Sequence, residues 1–373
     1  MNEKRRQRSG NPAVRGGATE PPAKPAKPPR PVKAPKPAKP APPQTARPSE
    51  PRSFGSSPRL AKRPAPVAGG FDDALSVPTA GLTYPQLLRV PGSAWWRALL
   101  GVALGLLLFM ILTSVINQAI VFGFWAIGSP QTPYAEFVDA ATKFLNPVGM
   151  LGANLGLATL IVICAVLLPI VHRVNPRWLI SVESHVRWRY FGICLALGVV
   201  APVLIQGLAT VVEGAPVFRL NENFWLFLIV IILTSPLQAA AEEVFFRGYL
   251  LQALGSVTAN PWFGIVVSSV IFALFHGVQN PALFVDRLAF GLLAAILVWR
   301  TGGLEAGIGA HIANNVLAYL LAGLTGTIAA TRGIREIGWE NAVFDVVGFA
   351  LFAVLALLVA RKLKIHRTTP PAP

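Results

Sequence analysis

Between Phe224 and Leu233 the chain reads FWLFLIVIIL, and a few residues later Ala239–Gly248 reads AAAEEVFFRG. The first stretch is as apolar as a bilayer interior, and Glu242, Glu243 and Arg247 follow directly behind it. An ionisable side chain within a membrane-spanning segment costs about 2.5–3.5 kcal/mol on insertion scales, so it faces a protein interior or a wet cavity. Three of them between residues 242 and 247 demand a folded interior built around them. On a helix, Glu243 and Arg247 are four apart and share a face, where they can pair, whereas Glu242 is turned by about 100°. One carboxylate is therefore expected to be neutralised and structural, and the other to be left free.

The rest of the composition supports a membrane setting. The 373 residues are 53% hydrophobic and only 13% charged, with a mean hydropathy of +0.53, where a soluble domain carries about 25% charged residues. Spans of about 20 apolar residues, enough to cross a bilayer, occur at 98–126, 146–171, 190–212, 224–255, 262–280, 283–299, 303–324 and 342–360. The fifth is the weakest, because its clean apolar part ends at His276. The sequence thus predicts an all-α, polytopic membrane helix bundle of about eight transmembrane helices. It has no internal repeat and no large soluble domain.

Charge divides the chain unevenly. Residues 1–97 hold 18 Lys/Arg against 5 Asp/Glu, and the remaining residues hold 15 against 12. Residues 1–70 contain 17 of the 33 prolines. Such a segment cannot bury a core, so 1–70 is expected to be a disordered, basic, Pro/Lys-rich tail. No apolar stretch follows Lys4–Arg8, so this is not read as a signal peptide. It is read first as a solvated basic extension, with attraction to anionic lipid as the minority alternative; nucleic acid is not expected as a partner, since no folded binding module is visible. A juxtamembrane segment, 71–97, precedes the helices and carries Trp95 and Trp96 as interface anchors. Helices of the N-terminal part occupy 98–223, a core 224–324, and a last helix with a basic tail 325–373. With an even number of spans, both termini fall on the cytoplasmic side of the cell membrane. Arg173, Arg177, Arg187, Arg189, Arg300, Arg361, Lys362, Lys364 and Arg367 then lie inside, which satisfies the positive-inside rule. Cys164 and Cys194 fall in apolar spans, far from metal-type spacing, and are read as buried hydrophobes.

Further polar residues fall inside later spans. Phe272-x-x-x-His276 puts an imidazole near the end of the fifth, and His311-x-x-x-Asn315 puts an imidazole and a carboxamide on one face of the seventh. From the helical rise, Glu242 and His276 each lie roughly 20 Å from the turn between the fourth and fifth spans. His311 and Asn315 lie roughly 12 and 18 Å in from Gly303 on the same side. Each residue has a plainer role when taken alone: His276 as a packing residue, Asn315 as interhelical glue, Glu243–Arg247 as a structural ion pair. Asp286 and Arg287 are read as interfacial. Together, Glu242, His276, His311 and Asn315 form a candidate catalytic set, supported by Glu243, Arg247 and Phe272.

The three motifs, Glu242-Glu243-Val-Phe-Phe-Arg247, Phe272-x-x-x-His276 and His311-x-x-x-Asn315, resemble in order those of the CPBP intramembrane protease family. That family includes the type II CAAX prenyl endopeptidases and bacterial proteins linked to bacteriocin processing and self-immunity. The resemblance covers about 224–324. It implies an intramembrane endopeptidase acting on a membrane-associated peptide or protein. The chemistry is consistent with the residues themselves, because a desolvated carboxylate such as Glu242 is a better base for activating water. His276 can orient that water, and His311 and Asn315 can donate to the tetrahedral oxyanion. Two His and a Glu also resemble a zinc ligand set, so zinc held by Glu242, His276 and His311 is the disfavoured alternative to a metal-free, glutamate-dependent reaction. Two other classes compete: a non-proteolytic membrane protein of the same fold, acting in bacteriocin self-immunity or partner binding, and a transporter. Transporters tend to show repeats and matching broken helices, and neither is present here.

Overall fold

A backbone surrounded by lipid must satisfy its own hydrogen bonds, and an uninterrupted apolar run does so as a helix. The computed structural model describes residues 75–371, and among them there are helices and no strands. The tail expected at 1–70 lies outside the described residues. In chain order the helices are α1 (Trp95–Gly128), α2 (Tyr134–Thr142), α3 (Pro147–Leu167) and α4 (Trp188–Glu213). They continue with α5 (Phe224–Glu243), α6 (Leu251–Val257), α7 (Pro261–Leu274) and α8 (Pro281–Thr301). The last three are α9 (Glu305–Thr325), α10 (Ile328–Arg332) and α11 (Trp339–Lys362).

Six of these rods are long and apolar enough to cross a membrane: α1, α3 with its extension to His172, Phe224–Val257, α8, α9 and α11. The expected count of about eight includes α4, whose qualifying apolar part is Trp188–Leu204, and α7. With 14 residues, α7 extends about 21 Å, less than the roughly 30 Å hydrocarbon core. Its early stop has a local cause: Phe275 and His276 turn out of the helix and Gly277 takes φ +80°, a left-handed conformation that suits glycine.

Polarity is arranged inside out. Trp95, Trp96, Trp225, Leu233 and Val354 are exposed, while Asn154, Thr234, Ser235, Glu243 and Arg247 are buried. Helix α5 packs between α3 and α9, with α1 outside α3 and α4 outside α9; α11 closes against α8 and α4. Polar glue crosses the α3–α5 seam, where Asn154 Nδ2 donates to Thr234 Oγ1 at 2.8 Å and Ser235 Oγ at 3.2 Å. The α4–α9 seam is close because a Cβ on Gly309 would come within 2.9 Å of the Leu195 nitrogen. Cys164 and Cys194 are buried and unpaired.

One end of the bundle carries a cap. Tyr84, Leu87 and Leu88 are almost fully buried there, and the Tyr84 hydroxyl donates to the Leu179 carbonyl. The segment just ahead of the first long helix is therefore packed beneath the bundle. Past α11, Thr369 Oγ1 donates to the Thr79 carbonyl at 2.5 Å and accepts from the Leu82 amide at 2.9 Å.

Candidate active site

Helix α5 ends at Glu243, and the chain continues as a wide π-helical turn, Val244–Leu250, before α6 begins. Such wide turns are rare and recur at functional sites. Glu243 and Arg247 are 0% and 1% exposed, so neither could remain charged without a partner. Arg247 Nη1 donates to Glu243 Oε1 at 2.8 Å. The guanidinium carbon also lies 4.0 Å from the Phe272 ring centroid and 5.3 Å from that of Phe290, two aromatic faces that favour a cation.

The same Glu243 oxygen is 2.9 Å from His311 Nδ1. An ionised carboxylate only accepts, so Nδ1 carries the proton and donates. The other ring nitrogen, Nε2, faces Glu242 Oε2 at 3.4 Å. Close approach of α9 is possible because residue 307 is glycine; a Cβ there would lie 2.8 Å from Glu243 Oε2.

Glu242 is held on its other side by amides. Gln238 Nε2 donates to Glu242 Oε1 at 2.7 Å, and Asn315 Nδ2 donates to Gln238 Oε1 at 2.9 Å. Asn314 Nδ2 in turn donates to Asn315 Oδ1 at 3.2 Å. Three carboxamides thus run head to tail and end on one oxygen of Glu242. Its second oxygen faces His311. With Nδ1 donating to Glu243, Nε2 is the ring nitrogen left to face Glu242.

These residues all lie within 222–317, and that stretch matches the family model described as type II CAAX prenyl endopeptidase Rce1-like. The chain belongs to this Rce1-like family. The uncharacterized protein YyaK of Bacillus subtilis (strain 168) is 30% identical over 210 residues, which is 50% of this chain and 68% of YyaK. No solved structure matches the chain. With six long apolar helices, this Rce1-like protein is a multi-pass membrane protein.

Of the residues singled out in the sequence, Glu242, Glu243, Arg247, His311 and Asn315 form one hydrogen-bonded group with Phe272 packed beneath it. His276 stands apart. It is exposed just beyond the end of α7, its Nδ1 lies 2.8 Å from the Phe272 carbonyl, and its ring packs edge-on against Phe272 at 4.7 Å. Phe272 also meets the His311 ring at 6.4 Å, so it sits between the two imidazoles.

This arrangement bears on zinc. The metal takes three or four converging donors at about 2.0–2.3 Å. Here His311 Nδ1 is committed to Glu243, His276 is tied to its own helix end, and only Glu242 and His311 face each other. Among the described residues no three His, Cys, Asp or Glu side chains gather as a metal site. Glu242, His276 and His311 do not fit zinc in this geometry, and no step below is routed through one.

Four contributors lie outside the sequence motifs: Gln238, Asn314, Phe290 and Gly307. Gln238 had a readable signal, an amide four residues before Glu242 on the same helical face. Phe290 and Gly307 had none, since a phenylalanine and a glycine in apolar helices are commonplace.

Proposed function

We propose that this Rce1-like protein is an intramembrane endopeptidase that hydrolyses a peptide bond of a membrane-associated substrate. The observation that carries the reading is the 3.4 Å gap between Glu242 Oε2 and His311 Nε2, with the far side of each group already fixed. Glu242 takes a proton from water as the oxygen attacks the substrate carbonyl carbon. His311 Nε2 takes this proton from Glu242 across the 3.4 Å separation, and the tetrahedral oxyanion accepts hydrogen bonds from the second N–H of Asn315 and from that Nε2–H. The same proton, taken from water, then passes to the leaving amine as the C–N bond breaks. His276, at the mouth beside Phe272, orients the incoming water. Glu243 and Arg247 keep His311 in the required tautomer and do not touch the substrate.

The test is Glu242→Gln. It keeps the shape and the Gln238 contact but removes the base, so purified protein should fold with wild-type yield and lose turnover. Cleavage sites come from comparing the membrane proteomes of cells that carry the wild type with those of cells that carry the Glu242→Gln variant. Wild-type turnover in the variant would sink the assignment and favour a non-proteolytic partner-binding role for the same fold.

The proposed orientation puts both termini on the cytoplasmic side of the cell membrane. Arg173, Arg177, Arg300 and the Arg361–Arg367 cluster gather at one end of the bundle, where α3, α8 and α11 finish. Single cysteines placed near Arg177 and Thr368 should resist a membrane-impermeant thiol reagent in intact cells; labelling there would reverse the orientation.

A further inference from the structure

A groove of about 480 Å3 opens between α4, α9 and α11, with Val203, Leu317, Phe349 and Phe352 among its walls. Two polar side chains line it, Asn314 and Asp345. Asp345 is exposed there, six residues into a helix long and apolar enough to cross a membrane. A carboxylate at that depth is costly unless it meets a cation, and among the described residues it forms no ion pair. Arg287 of α8 donates to Gln279 Oε1 at 2.9 Å. Among the described residues Asp345 is thus open to a cation from outside the chain.

Asn314 ties this groove to the reacting groups. Its Nδ2 starts the amide series that ends on Glu242, through Asn315 and Gln238. That leaves its Oδ1 as an acceptor in the groove that Asp345 also lines. The groove therefore offers two acceptors in apolar surroundings, three hydrogen bonds from the base. An apolar stem ending in a positive charge matches it, which describes Lys and Arg.

We propose that the α4–α9–α11 groove is a subsite for the substrate peptide next to the scissile bond, in which a Lys or Arg pairs with Asp345 and Asn314 Oδ1. This rests on the endopeptidase reading above. A peptide fits better than a lipid headgroup because Asn314 lies only about 4.5 Å along α9 from His311, deep in the bundle rather than at its rim.

The experiment uses farnesylated, dye-labelled peptides that differ at one residue, with Lys, Gln or Glu placed in turn at each position upstream of the lipidated cysteine. Binding is read by anisotropy on Glu242→Gln protein in phosphatidylcholine nanodiscs, and cleavage on protein with Glu242 intact. At one position Lys should bind roughly three- to tenfold better than Gln, with Glu weakest. Asp345→Asn should bring the Lys/Gln ratio to about one. Asp345→Lys should invert the order so that Glu binds best, an inversion that misfolding cannot produce. An unchanged Lys/Gln ratio in Asp345→Asn, or no Lys preference at any position, overturns the proposal. So does loss of the preference only when phosphatidylethanolamine is added, which would assign the groove to a headgroup. If the binding order holds while no peptide is cut, the endopeptidase reading fails and the groove is left as a cation-binding peptide site without a scissile bond; cleavage without any order overturns the subsite alone.

Discussion

At the scale of single residues, the two adjacent glutamates have opposite tasks, and their surroundings set the difference. Glu243 receives Arg247 Nη1 and lies within reach of His311 Nδ1 on one oxygen, in full burial. Glu242 receives one amide and has its other oxygen 3.4 Å from His311 Nε2. Gln238 is the residue whose importance exceeds its notice in the sequence, since it accepts from Asn315 and donates to Glu242 at once. Gln238→Leu removes both bonds with little change in volume. It should lower kcat by up to about 100-fold through misplacement of the base, with KM much less affected. Equal loss in kcat and gain in KM would show that Gln238 serves binding instead. The charged pair, the two histidines and Asn315 were legible because a polar side chain inside an apolar run stands out. How they would sort was not, because the side of His311 that meets each glutamate depends on the relative rotation of α5 and α9.

At the scale of elements, apolar runs predict helices well because lipid leaves the backbone few other options. Starts were legible too, in a signal the run lengths alone do not use. Asn146-Pro147, Asn175-Pro176, Asn260-Pro261 and Asn280-Pro281 each open a helix, with the Asn side chain accepting a backbone N–H two or three residues on. What run length could not give is the wide turn after Glu243 or the shortness of α7. Two helix beginnings are also locked together by a pair that sequence spacing hides. Arg187, just before α4, forks onto Glu305 at the start of α9, with Nε–Oε1 at 2.8 Å and Nη2–Oε2 at 2.5 Å. Its Nη1 donates to the Thr301 carbonyl at 2.8 Å. Burial alone would depress the Arg187 guanidinium, but the hydrogen bond and charge of Glu305 outweigh it and hold the group above its usual range. Arg187→Ala strands a carboxylate that is 2% exposed, so it should cost about 3–5 kcal/mol. Thermal unfolding in detergent should show a large fall in midpoint; an unchanged midpoint would mean that Glu305 finds another donor.

At the scale of the whole molecule, the bundle keeps its polar groups around α5 and turns its apolar surface outward, as a multi-pass membrane protein must. The reaction proposed here draws its base and its oxyanion donors from side chains and its proton from the attacking water. Purified active protein should therefore contain well under one metal ion per chain by elemental analysis, and chelator dialysis should leave most turnover intact. Stoichiometric zinc, with activity lost on removal and restored on return, would overturn that mechanism. The cap at one end has a different consequence, which concerns synthesis. Thr369, beyond the last long helix, is bonded to Thr79 and Leu82, which precede the first; the Leu82 and Thr369 pair is 287 residues apart in sequence. A ribosome adds about 5–20 residues each second, so the early segment must wait many seconds in the cell for its partner to emerge. Until then Tyr84, Leu87 and Leu88 have only part of their final packing, and a nascent chain stalled within α11 would offer that segment to proteases that the finished protein resists.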